Sequence, residues 1–108
     1  MIIKFNEIDE TIMPEFKGGN KEFNARIFQD PDNKILYGKL IAGASIGNHT
    51  HETNSEIIYV LSGKGKAVYN GETVEITPGI CHYCPKGESH SLINDGDEDL
   101  VFFAVIPE

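Results

Sequence analysis

Little in this chain is positively charged. Nine Lys and Arg stand against 17 Asp and Glu, a formal net charge of −8 over 108 residues. A surface of that sign repels a phosphate backbone, so no nucleic-acid partner is expected, and solubility is the plain meaning of the charge. Long apolar runs are missing too. None approaches the roughly 20 residues that a membrane span requires. The opening Met1–Glu10 is interrupted by Lys4, Glu7, Asp9 and Glu10, and lacks the apolar stretch of a secretory leader. A cytoplasmic protein with no membrane partner is expected. Cysteine is scarce: Cys81 and Cys84 are the two in the chain. Their C-H-Y-C spacing lacks the helix start of a redox pair and the extra ligands of a zinc finger. The flanks read as a strand, where positions three apart face opposite sides, so two unlinked thiols are expected. No internal repeat or low-complexity tract is present.

A chain of 108 residues and 12.0 kDa holds one domain, residues 1–108, and 40% hydrophobic residues are enough for a packed core. Turn signals recur every eight to twelve residues or so: K-G-G-N at 17–20, D-P-D-N at 30–33, S-G-K-G at 62–65, Asn70-Gly71, T-P-G at 77–79, Pro85–Gly87 and N-D-G-D at 94–97. Between them lie short runs rich in Ile, Val, Phe and Tyr, at 23–28, 35–42, 56–61, 66–69, 73–77, 80–84, 90–93 and 100–106. That cadence predicts an all-β antiparallel sandwich or barrel. Asn70-Gly71 is a hairpin signal, because both central positions of its turn need positive φ. Asn6–Met13 is the one weak helical candidate, stopped by Pro14.

Four residues carry the chemistry. His49, His51 and Glu56 lie in one segment, 43–63, and His90 in a second, 79–94. A lone histidine is usually a surface residue or a satisfied core residue, and H-x-H alone is a weak signal. Three imidazoles and one carboxylate together are a sufficient ligand set for a transition-metal ion. His49 and His51, two apart on a strand, face the same side. Glu56 follows the polar turn E-T-N-S and can sit beside them across a hairpin. His90 requires the barrel to close.

The first segment resembles the first cupin motif: Gly43, five residues, His49-x-His51, four residues, Glu56, six residues, Gly63. The second resembles the second cupin motif: Gly79, five residues, Pro85-x-Gly87, two residues, His90, three residues, Asn94. Every fixed position is filled. The spacer 64–78 is similar to that of small bacterial single-domain cupins. The resemblance implies a double-stranded β-helix, a jelly-roll barrel of six to eight strands. It implies one divalent transition-metal ion held by His49, His51, Glu56 and His90, with two positions open on an octahedral ion. Imidazole-rich ligation suits manganese, iron, nickel, copper or zinc over magnesium or calcium. Pairing into a homodimer is common in this family.

The expected function is that of a metal-dependent enzyme acting on a small molecule, dioxygenase-like or a Lewis-acid isomerase or lyase. One alternative is a non-catalytic module that binds or senses a small ligand through the same metal. Another is a sugar-phosphate isomerase-like protein, although neither motif carries an Arg or Lys cluster for a phosphate. The residues before the Pro85 turn leave two registers open. If 85–88 form the loop, Tyr83 faces the side of His90. If the loop is one residue longer, His82 and Cys84 do. The shorter loop is preferred, which makes Tyr83 the candidate catalytic side chain.

Overall fold

The computed structural model describes residues 1–108 and contains ten strands. They are β1 (Thr11–Pro14), β2 (Glu22–Gln29), β3 (Asn33–Leu40), β4 (Ser45–Thr50), β5 (Glu56–Ser62), β6 (Gly65–Tyr69), β7 (Glu72–Ile76), β8 (Cys81–Cys84), β9 (Ser89–Ile93) and β10 (Leu100–Pro107). Two sheets form, in the orders β1-β2-β3-β10-β5-β8 and β4-β9-β6-β7, with every pairing antiparallel. No helix is long and apolar enough to cross a membrane.

All eight apolar runs are strands. The weak helical candidate at Asn6–Met13 is a correction: a single 3-10 turn covers Phe5–Glu7, and Thr11–Pro14 pairs with β2. The β-branched Thr11 and Ile12 suit a strand, and Pro14 ends it at a sheet edge where no ladder donor is needed. The Asn70-Gly71 hairpin forms as expected, with φ of 52° and 76° and Tyr69 opposite Glu72.

The core fills the space between the sheets. Phe23, Leu36, Leu40, Ile58, Val60 and Phe102 from the six-stranded sheet meet Ile46, Ala67, Ile76 and Leu92 from the other. The Phe23 and Phe102 rings stack with centroids 5.7 Å apart. Gly38 makes room for that stack, since a Cβ there would stand 2.8 Å from the Phe102 ring. Removing a ring of this kind from a packed core costs about 3–5 kcal/mol.

Candidate metal centre

The four motif residues arrive from both sheets. His49 and His90 are directly paired across β4 and β9. Simple alternation from the buried Ile46 would turn Asn48 inward and His49 outward. A bulge prevents this: Ile46 pairs with Leu92 but His49 pairs with His90, so β4 carries one extra residue. Gly47 sits in the bulge, where a Cβ would lie 2.0 Å from the Lys17 carbonyl oxygen. His51 follows β4 and is tied to the 85–88 loop. Its amide donates to the Glu88 carbonyl, and its own carbonyl accepts from the Gly87 amide. Glu56 opens β5 in the opposite sheet. It therefore meets the histidines across the barrel interior, and the expected hairpin between β4 and β5 does not exist. A strand that changes sheets looks the same in sequence as one that turns back.

The donor atoms converge on one point. Glu56 Oε1 lies 3.0 Å from His51 Nε2 and 2.9 Å from His90 Nε2. His90 Nε2 lies 3.0 Å from His51 Nε2 and 3.2 Å from His49 Nε2, and the four ligand atoms all fall within 4.8 Å of one another. His51, Glu56 and His90 are buried and His49 is half-buried. For metal–nitrogen bonds of about 2.1 Å, adjacent ligands stand about 3.0 Å apart on an octahedron and about 3.4 Å on a tetrahedron. The observed contacts of 2.9–3.2 Å are those of neighbouring ligands on one ion, so this donor set could hold a metal ion.

The other ring nitrogens strengthen that fit. His49 Nδ1 lies 2.8 Å from the Gly47 carbonyl oxygen and His51 Nδ1 2.9 Å from Asn54 Oδ1. Both partners accept, so a neutral ring carries its proton on Nδ1 and leaves the Nε2 lone pair for a metal ion, while Nε2 of His51 donates to Glu56 only when the ring is protonated. Asn54 belongs to the E-T-N-S turn, and sequence reasoning gave it no role. Its signal was its place three residues after a candidate ligand.

Charge follows the same geometry. Burial alone would raise the Glu56 carboxyl, but hydrogen bonds from His51 and His90 outweigh it and hold it down, from 4.5 to about 2. The bond to Glu56 holds His51 above its ordinary value, against a smaller opposing effect of burial. Burial, helped by the neighbouring His90, holds His49 and His82 below theirs, against the hydrogen bond to the Gly47 carbonyl at His49 and the weaker pull of Glu56 at both.

A cavity of about 480 Å³ opens onto this cluster. Its apolar wall is Phe23, Ile27, Leu36 and Ile106, and its floor includes His49, His51 and Glu56. The segment 13–17 forms a rim through Met13, Phe16 and Lys17. The residues just after it are pressed onto β4: a Cβ on Gly19 would lie 2.1 Å from the Ser45 carbonyl oxygen, and the Asn20 amide donates to Ser45 Oγ at 2.8 Å. Lys17 itself has φ of 55°, a conformation that costs energy in a residue with a side chain. Lys34 is a second cation on the wall.

Tyr83 requires a correction. It faces outward and is 54% exposed, whereas His82 and Cys84 face in. The two registers considered both treated 80–93 as a hairpin. In the structure β8 pairs with β5 and β9 with β4 and β6, so Pro85–Glu88 crosses between sheets and carries no ladder register. Cys84 is fully buried, and burial together with the Glu56 and Glu88 carboxylates pushes its thiol up to about 11. Both cysteines are free. Asn94 is a structural clip: its Nδ2 donates to the Leu40 and Glu98 carbonyls at 2.8 Å, and its Oδ1 accepts from the Gly96 amide at 2.9 Å.

A two-sheet antiparallel barrel with three imidazoles and a carboxylate converging in its interior is a frame that could hold a metal ion. The family model of the cupin domain matches residues 37–106. The chain belongs to the cupin family. The oxalate-binding protein of Thermotoga maritima is 34% identical over 112 residues, spanning 98% of this chain and 93% of that protein. The crystal structure of a predicted oxalate decarboxylase from Thermotoga maritima superposes with a TM-score of 0.94 at 34% identity, covering 99% of this chain and 98% of that one. A glucose-6-phosphate isomerase of Thermococcus onnurineus is 33% identical over 64 residues, which are 55% of this chain but 34% of that protein.

Proposed function

We propose that the chain is a metal-dependent enzyme whose substrate is a small carboxylic acid of the oxalate class. The observation that carries the reading is the cavity that ends on His49, His51 and Glu56 and bears Lys17 at its rim. His49, His51, Glu56 and His90 would hold one divalent transition-metal ion. When bound, such an ion would supply Lewis-acid or redox chemistry toward a short acid in the cavity. Glu56 offsets one of the ion's two charges, so the site keeps a net attraction for an anion. Lys17 adds a second attraction at the mouth. The apolar wall of Phe23, Ile27, Leu36 and Ile106 keeps the bound acid away from bulk water, and strengthens each of these contacts.

The name of the Thermotoga relative supports oxalate as the first acid to try, and also favours a second reading, binding without turnover. Metal-loaded protein is given oxalate and short 2-oxo and 2-hydroxy acids. Calorimetry follows binding, while carbon dioxide release and oxygen uptake follow turnover. Binding with turnover, both lost in His49→Ala, supports the enzyme. Binding alone supports the second reading, and no binding of any acid removes both. The phosphate of a sugar phosphate finds Lys17 and Lys34 as the only cationic side chains on the cavity wall, which disfavours the isomerase alternative. We place the protein in the cytoplasm, where thiols such as Cys81 and Cys84 stay reduced.

We infer a homodimer as well. Ile57, Tyr59, Leu61 and Tyr83 lie on the outer face of the six-stranded sheet and are 37%, 45%, 42% and 54% exposed. Ile57 is paired with Tyr83, and Tyr59 with Phe103. A continuous apolar row of this kind on a 12.0 kDa domain is the mark of an association surface.

A further inference from the structure

The fourth histidine of the chain, His82, lies behind the site. Its Nε2 is 3.0 Å from Nδ1 of His90, with ring centroids 5.2 Å apart and planes tilted by 31°. The Tyr69 ring stands edge-on to it at 5.4 Å, and the Tyr69 hydroxyl donates to Glu88. His82 is not among the residues that line the cavity.

The three ligand histidines differ in what holds their far nitrogen. His49 faces a carbonyl oxygen and His51 an amide oxygen. Each of those atoms accepts only, and each fixes the proton on Nδ1. His90 faces a second imidazole, which can accept or donate. If His82 Nε2 donates, His90 keeps its own proton on Nε2 and has no lone pair for a metal ion. If His82 Nε2 accepts, His90 is protonated on Nδ1 and its Nε2 lone pair points at Glu56, His51 and His49.

We propose that His82 is the positioning residue of the metal centre: with its own proton on Nδ1, it accepts from His90 Nδ1–H through Nε2 and so commits His90 Nε2 to the metal. This rests on the four-ligand reading above. It implies that a side chain in this place must accept a hydrogen bond, and that filling the space is not sufficient. Outer partners of ligand histidines typically change metal affinity 10–100-fold. A glutamine oxygen can occupy the position of His82 Nε2, whereas a phenylalanine fills the space and accepts nothing.

The experiment uses zinc as the probe. Dissociation constants are measured by chelator competition for the wild type, His82→Gln and His82→Phe, with circular dichroism on each. The ring-nitrogen resonances of zinc-loaded, 15N-labelled wild type give the tautomers directly. The expected result is a loss of about 10–100-fold in His82→Phe, near-complete rescue in His82→Gln, and His82 protonated on Nδ1 but not Nε2. Wild-type affinity in a folded His82→Phe, or a proton on His82 Nε2 in the zinc-loaded wild type, overturns the proposal and leaves the four ligands standing. Failure of the wild type to bind zinc or any other divalent transition metal removes the metal reading and the proposal with it. If His82→Phe does not fold, the wild-type tautomer measurement decides alone.

Discussion

Replacing His49 by alanine separates the metal reading from the fold more cleanly than any other ligand substitution. His49 is half-buried. Its contacts in the cluster are its own strand at Gly47 O and His90 Nε2 at 3.2 Å. Without metal, the loss is that of one or two ordinary hydrogen bonds, about 1 kcal/mol each. With metal the account differs. An ion present at about 100 times its dissociation constant stabilises the folded state by about 2.7 kcal/mol. In a domain of this size each kcal/mol moves the melting temperature by about 4–8 °C, so the wild type should melt about 11–22 °C higher with metal than with chelator. If His49→Ala weakens binding 100-fold, the same metal concentration equals its dissociation constant, and the gain shrinks to about 0.4 kcal/mol, or about 2–3 °C. Paired thermal melts by circular dichroism, with each protein in chelator and in metal, measure both numbers. A wild type indifferent to every divalent transition metal, or a His49→Ala with the full metal shift, refutes the reasoning.

Three further outcomes follow from the same geometry. Metal affinity should fall as pH drops below about 6.5, because protons compete for the imidazoles. The competition begins at His51, whose pKa lies above its ordinary value; equilibrium dialysis showing undiminished binding at about pH 4.5 would mean that imidazoles are not the main ligands. In chelator-treated protein, Glu56→Gln should lower stability at neutral pH. The folded carboxyl lies near 2 against 4.5, so its contribution is complete above 4.5 and fades as pH falls toward 2. The gap between the variant and the wild type in urea unfolding should therefore close over that interval, and a gap constant with pH contradicts the assignment. Tyr59→Glu, on the outer sheet face, should convert the dimer to a 12.0 kDa monomer by light scattering; a wild type already at 12.0 kDa removes the dimer.

The parts of this molecule that were legible in sequence are those set by local chemistry. The apolar runs became strands because alternation and turn residues act over a few positions. Asn70-Gly71 closed its hairpin because its turn needs two positive φ values. Glu56, His49, His51 and His90 were legible as a set because their spacing matches a known pair of motifs, and the structure brings them within 4.8 Å of one another. What failed, besides the weak helix at Asn6–Met13, were two strand pairings. The hairpin between β4 and β5 and the hairpin between β8 and β9 were both inferred from a turn between neighbouring runs. In each case the chain crosses to the other sheet instead. That single error of topology turned Tyr83 inward on paper and left His82 out of the site.

The motif positions without metal-binding chemistry show why the pattern extends beyond its four donors. Gly63 has φ of 81°, and a Cβ there would lie 2.2 Å from the Asp99 carbonyl oxygen. It therefore sets how closely the loop after Asn94 can approach the end of β5. Asn94 ties that same loop to Leu40, at the end of β3: its Nδ2 donates to the Leu40 carbonyl at 2.8 Å, while bonds to the Glu98 carbonyl and the Gly96 amide, at 2.8 and 2.9 Å, hold the loop itself. β9, which ends at Ile93, carries His90, so the clip anchors the strand that delivers the fourth ligand. A ligand set spread over two sheets holds its geometry only if the sheets cannot slide. Loss of the Asn94 amide would remove the buried bond to the Leu40 carbonyl, at about 1–3 kcal/mol, and free the β9–β10 connection. The glycines and the asparagine are thus the mechanical counterpart of the histidines. They fix the spacing between the sheets within which donor atoms about 3 Å apart can share one ion.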